Sequence, residues 1–151
     1  MLKVNDLLSE LNNIAPFSDS EDWDNTGLIV GDRDVKVTGI LTALDCSFDT
    51  VEEAVSIGAN VIVSHHPLIF PKIANVVNEG PGKVLHKLIK ENINLIVMHT
   101  NLDHQKNGVS HMIAKTLGYT DTEILLPHDG NFKKLRVNIN NDDKDRFKEN
   151  L

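Results

Sequence analysis

The sequence predicts an α/β fold, a parallel-type sheet flanked by helices, and three observations predict it. Val61-Ile62-Val63 and Leu95-Ile96-Val97-Met98 are short, continuous apolar runs, the pattern of strands covered on both faces. Stripes at helical spacing lie among them: Val51, Ala54 and Val55; Val84, Leu85, Leu88 and Ile89; Val109, Met112, Ile113 and Leu117. Gly58 and Gly118 follow the first and last stripes, where a helix needs a residue that tolerates left-handed backbone. The order is strand–helix–strand–helix–strand–helix, and such alternation builds a parallel sheet.

Val4, Leu7, Leu8, Leu11 and Ile14 predict a helix over 4–14, stopped before Pro16. Gly-Leu-Ile-Val-Gly at 27–31 predicts a short strand, and Val37, Ile40, Leu41 and Leu44 predict another over 37–44. Asp49 with Glu52 resembles a capping box for the next helix, which Gly58 ends. The run at 61–63 leads into His65. A helix is expected over 82–91, and the run at 95–98 leads into His99. Gly80-Pro81-Gly82 lacks the Lys-Ser/Thr ending of a phosphate loop and is expected to be a loop near the site. A helix is expected over 108–117. Beyond it, Leu-Arg-Val-Asn-Ile at 135–139 alternates like a half-exposed strand. A charged segment with Phe147 and Leu151 reads as a helix, and the chain stops within it, which suggests truncation.

The 151 residues suit one domain, or one domain plus a fragment, and a 40% hydrophobic composition is enough for a core. A net charge of −7 argues against nucleic acid as a general partner, because phosphate binding needs clustered Lys and Arg. The single cysteine, Cys46, is expected to be buried. It excludes an internal disulfide and fits a reducing compartment. The N-terminus lacks the basic start and apolar run of a signal peptide, and no apolar stretch approaches the ~20 residues of a membrane span. These features predict a soluble, cytoplasmic protein with no membrane partner.

Metal-capable side chains cluster at the predicted strand ends, where ligands bind in open α/β sheets. Asp45 follows one strand, His65 and His66 the next, and His99 and Asp103 the last. Imidazole is a common ligand for zinc, iron, manganese, nickel and cobalt. Adjacent histidines inside a strand would face opposite ways, but at a strand end, with Pro67 restricting His66, both can face one cleft and suit two neighbouring metals. The alternative is a pair of partly buried histidines with hydrogen-bonding roles. Asp103 can bridge two cations, with Thr100 and Asn101 orienting ligands, or it can cap the helix that follows. Asp45 can hold a histidine, act on a metal-bound water, or cap its own helix. Trp23-Asp24-Asn25-Thr26-Gly27 holds the sole tryptophan, either as a pocket wall or as the buried anchor of a turn. His86, His104, His111 and His128 are read as non-ligands.

The segments Trp23-Asp24-Asn25-Thr26-Gly27-Leu28, Val30-Gly31, Ala43-Leu44-Asp45, Ser64-His65-His66-Pro67-Leu68-Ile69-Phe70 and His99-Thr100-Asn101-Leu102-Asp103, with Gly108-Val109, resemble the GTP cyclohydrolase 1 type 2 homolog family, also called NGG-interacting-factor-three-like. The resemblance runs from the N-terminus to about residue 126. It implies two divalent metal ions, with His65 and His66 each on one ion and Asp103 bridging. Asp45 and His99 would assist as base or orienter. It further implies metal-dependent hydrolysis of a small, nucleotide-like substrate and a toroidal homo-hexamer. The family completes its site with a histidine and a glutamate from a distant C-terminal segment that has no counterpart in this sequence. Residues 1–128 are therefore expected to be the first half of a larger two-part domain, and 129–151 the start of an inserted one. A metal-binding or regulatory protein without turnover is the competing expectation.

Overall fold

In the computed structural model, residues 1–70, 73–123 and 146 are described. Four strands form one sheet: β1 (Gly27–Val30), β2 (Ile40–Ala43), β3 (Val61–Ser64) and β4 (Asn94–Val97). Their order is β1-β4-β3-β2. β2, β3 and β4 run parallel, in the register Ile40 beside Val61 and Val61 beside Asn94. β1 adds an antiparallel edge, pairing Gly27 with Val97. The mixed α/β architecture agrees with the sequence, but the direction of β1 does not follow from its four apolar residues.

Side-chain alternation divides the core into two layers. Ile62, Leu95 and Val97 face α2 (Phe48–Ser56) and α3 (Gly80–Lys90), where they meet Val51, Ala54, Leu85 and Leu88. Val61 and Ile96 face the other way and pack against Val4 and Leu8 of α1 (Val4–Ile14). Helices thus cover both sheet faces, which explains the continuous apolar runs of β3 and β4. Full burial of a side chain such as Leu88 contributes on the order of 2 kcal/mol. Two consecutive parallel crossovers, β2–α2–β3 and β3–α3–β4, step in the same direction, so α2 and α3 share one face.

Helix ends differ from expectation in two places. The cap of α2 is Ser47, whose hydroxyl accepts the Thr50 N–H at 3.1 Å. Asp49 lies inside the first turn, where its charge complements the helix dipole. Gly80-Pro81-Gly82 is the first turn of α3, not a loop. A proline there is compatible with the helix, because its missing N–H would have had no intrahelical partner. Gly58 and Gly118 take φ of 72° and 89° after their helices, as expected.

A short helix α4 (Thr100–Asp103) follows β4 directly, and α5 (Val109–Thr116) follows it. Met112, Ile113 and Leu117 on and after α5 remain exposed, so no described residue covers that apolar stripe. The predicted strand at 135–139, the helix-like tail apart from Arg146, His128 and the boundary near 128 lie outside the described residues.

Cys46 is buried in the core layer under α2 and α3. Burial pushes its thiol up to about 11. The folded chain therefore holds this proton at a pH where the unfolded chain, titrating near 9.0, releases it. Its contribution is complete below pH 9 and is lost as the pH rises through about 11. Unfolding in urea across pH 8–11 is expected to show a decline of at most ~3 kcal/mol that Cys46→Ala lacks. Equal slopes in both proteins would refute this.

Candidate metal centre

β2, β3 and β4 end side by side, and the chain turns at each end. His65 and His66 still donate their backbone N–H groups to Ala43 and Leu44, at 3.1 and 2.9 Å. The Ser64 hydroxyl donates to the His66 carbonyl at 3.0 Å and holds the bend. Two consecutive side chains therefore share one side, which a regular strand would forbid. The rings of His65 and His66 lie 5.0 Å apart. His99, just past β4, brings a third ring to 5.1 Å from His65 and 5.8 Å from His66.

Each imidazole commits its Nδ1 away from the cluster. That of His65 lies 2.8 Å from the Met98 carbonyl oxygen, which can only accept, so Nδ1 carries the proton. That of His66 lies 2.8 Å from a carboxylate oxygen of Asp45. That of His99 lies 2.9 Å from Oδ1 of Asp24. In the neutral rings this pattern leaves the three Nε2 lone pairs free, and carbonyl or carboxylate partners on Nδ1 are what orient metal-binding histidines. One ligand atom from each of the three rings lies within 4.8 Å of the others. The His65-His66-His99 triad can hold a metal ion.

Asp24 is the best-built group around the triad. Its side chain has no solvent exposure. It accepts from His99 Nδ1, from the Thr100 hydroxyl, and from the backbone N–H groups of Asn25 (2.7 Å) and Thr100 (3.1 Å). Burial alone would push the Asp24 carboxyl up. The hydrogen bonds from His99, Thr100 and the two backbone groups outweigh it and hold the carboxyl below the usual carboxylate range. Topology explains its position: β1 is antiparallel to β4, so the residues just before β1 lie beside those just after β4. Asn101, fully buried, donates to the Ala15 carbonyl and accepts the His99 N–H, fixing the turn that carries His99.

Asp103 Oδ1 is 3.8 Å from His65 Nε2, at the rim of the triad. Asp45 touches His66, and its side chain takes no part in capping α2. His99 is one of the three converging rings. His104 engages the Asp19 carbonyl and Glu21, and His86 and His111 lie on α3 and α5. Trp23 is not a buried anchor: its indole is 59% exposed and lies edge-on to His99 at 6.4 Å. The group missed in the sequence is Asp24. Its signal, an acidic residue beside the sole tryptophan, was visible, but its partner lay 75 residues away.

Comparison with known proteins identifies the family and the fold. The model of the family Duf34/NIF3 (NGG1p interacting factor 3) matches residues 2–148. A Staphylococcus aureus (strain COL) "GTP cyclohydrolase 1 type 2 homolog" is 45% identical over 150 residues, covering 99% of this chain and 41% of that protein. The crystal structure of the Staphylococcus aureus protein SA1388 superposes with a TM-score of 0.76 at 51% identity, covering 78% of this chain and 34% of that one. A Bacillus cereus protein related to NIF3 gives 0.81 at 35% identity, covering 85% and 36%. The chain thus spans about two-fifths of the length of the curated relatives it matches. No helix among the described residues is long and apolar enough to cross a membrane. With the motifs and the fold in agreement, the chain belongs to the Duf34/NIF3 (NGG1p interacting factor 3) family.

Proposed function

We propose that this chain carries the larger part of a dinuclear divalent-metal site in a cytoplasmic, homo-hexameric hydrolase of a small nucleotide-like substrate. The observation that carries this reading is the convergence of three imidazoles whose Nδ1 atoms are all committed elsewhere. His65 and His66 would each hold one ion, with the Asp103 carboxylate shared between them. The mixed nitrogen and oxygen donors suit zinc, iron, manganese, nickel or cobalt. Such ions supply Lewis acidity and allow water to ionise near neutral pH. Asp45 fixes the His66 ring. Asp24 fixes His99 with its Nε2 lone pair toward the site, where that atom takes a proton from the attacking water. The name of the Staphylococcus aureus relatives suggests GTP as a substrate to test first.

The test is turnover of GTP and other nucleotides by metal-loaded protein, with chelated protein as control. Turnover is expected only with metal, and His66→Ala is expected to abolish it. Stoichiometric metal uptake with no turnover of any nucleotide would leave a non-catalytic metal-binding protein. Substoichiometric metal, with no uptake on titration, would refute the site itself.

A further inference from the structure

Trp23 and Phe70 are left 59% and 52% exposed beside the imidazole triad. Large apolar rings held in water at a cluster of metal-capable groups are more informative than scattered exposed leucines. These two are held from both sides. The neighbour of Trp23, Asp24, is locked to His99 and Thr100. The next residue, Asn25, donates its side-chain amide to the Ile69 carbonyl at 2.9 Å, stitching the Trp23 turn to the segment that carries Phe70.

The ring centroids of Trp23 and Phe70 are 5.8 Å apart, with planes at 66°. Trp23 meets His99 at 77°. Rings set edge-on to one another do not use up their π faces, so the arrangement is a corner and not a closed stack. Exposed indole and phenyl faces are the surfaces on which planar heteroaromatic rings stack.

We infer that the Trp23–Phe70 corner is a subsite for the planar heteroaromatic ring of the substrate, the base of a nucleotide, which it seats against His99 and the triad. The inference rests on the proposed metal site for the reacting end of the substrate, while the stack itself needs no metal. Stacking recognises ring area more than hydrogen-bonding edges. Purine nucleotides are therefore bound more tightly than pyrimidine ones, with little preference between adenine and guanine.

Trp23 is the sole tryptophan, so its fluorescence reports the corner directly. In the zinc-loaded full chain, GTP and ATP are expected to quench this emission, and inorganic triphosphate is not. By calorimetry, Trp23→Leu and Phe70→Leu should each weaken GTP binding roughly tenfold or more, the worth of one stacked base. Trp23→Phe should retain most of the affinity, and zinc uptake should be unchanged in all three. No binding of GTP to the wild type, equal quenching by triphosphate alone, or unchanged affinity in both leucine variants would overturn the subsite. Zinc uptake in the same preparations separates the two claims. Zinc bound without any response to GTP removes the subsite and leaves the metal centre; a GTP response without zinc uptake does the reverse.

Discussion

Asp24→Ala is expected to lower metal-dependent turnover by about 100-fold or more, through the His99 base, and to destabilise the fold by about 3 kcal/mol. One buried carboxylate satisfies four donors from three residues, Asn25, His99 and Thr100. Alanine removes all of those acceptor positions at once. The Thr100 N–H, and the His99 Nδ1–H if the ring stays in place, lose a partner whose side chain has no solvent exposure. Each buried unsatisfied donor costs roughly 1–3 kcal/mol, partly relieved by relaxation or by entry of water. The His99 ring is then free to turn its Nε2 away from the triad. Asp24→Asn keeps the shape and one acceptor oxygen, so its cost in urea unfolding should be smaller while the loss of turnover remains. Wild-type turnover in Asp24→Ala would show that the Asp24–His99 pair has no part in the site.

His65→Ala is expected to cost more in metal binding, at least ~100-fold, because it removes a donor atom and not its support. The fold should lose only about 1 kcal/mol, the worth of the hydrogen bond to the Met98 carbonyl. His66→Ala should show the same loss of metal at a smaller structural cost, since its side chain is 48% exposed. His111→Ala on α5 should change neither quantity. Zinc competition and urea unfolding on the same four proteins separate ligand loss from unfolding. If His65→Ala bound zinc as the wild type does, the free Nε2 atoms would not be ligands.

How much of this could be read in the sequence depended on what the residues encode locally. β3 and β4 were legible because both faces are covered, which leaves a continuous apolar run, and the strand-end position of His65, His66 and His99 followed at once. The turn after Ser64 let both adjacent histidines reach one side, as Pro67 suggested. The direction of β1 was not legible, since Gly-Leu-Ile-Val can pair either way. With it went the meeting of Asp24 and His99, a contact made only by the antiparallel edge. Ser47 was missed as a cap because Asp49 and Glu52 matched a capping pattern two residues later. Gly80-Pro81-Gly82 read as a loop because glycine and proline mark turns, yet proline is equally at home in the first turn of a helix. The exposure of Trp23 was beyond sequence reasoning altogether, because an indole beside acidic and amide groups is compatible with burial or with a binding face.

The imidazoles are expected to present Nε2, and not Nδ1, to metal. Long-range 1H–15N NMR of the histidine side chains during a zinc titration observes both nitrogens of each ring. His65, His66 and His99 are expected to start as tautomers protonated on Nδ1, with the Nε2 resonances of His65 and His66 moving to metal-bound positions as zinc is added. Binding through Nδ1, or no change at either nitrogen while zinc is taken up, would contradict it.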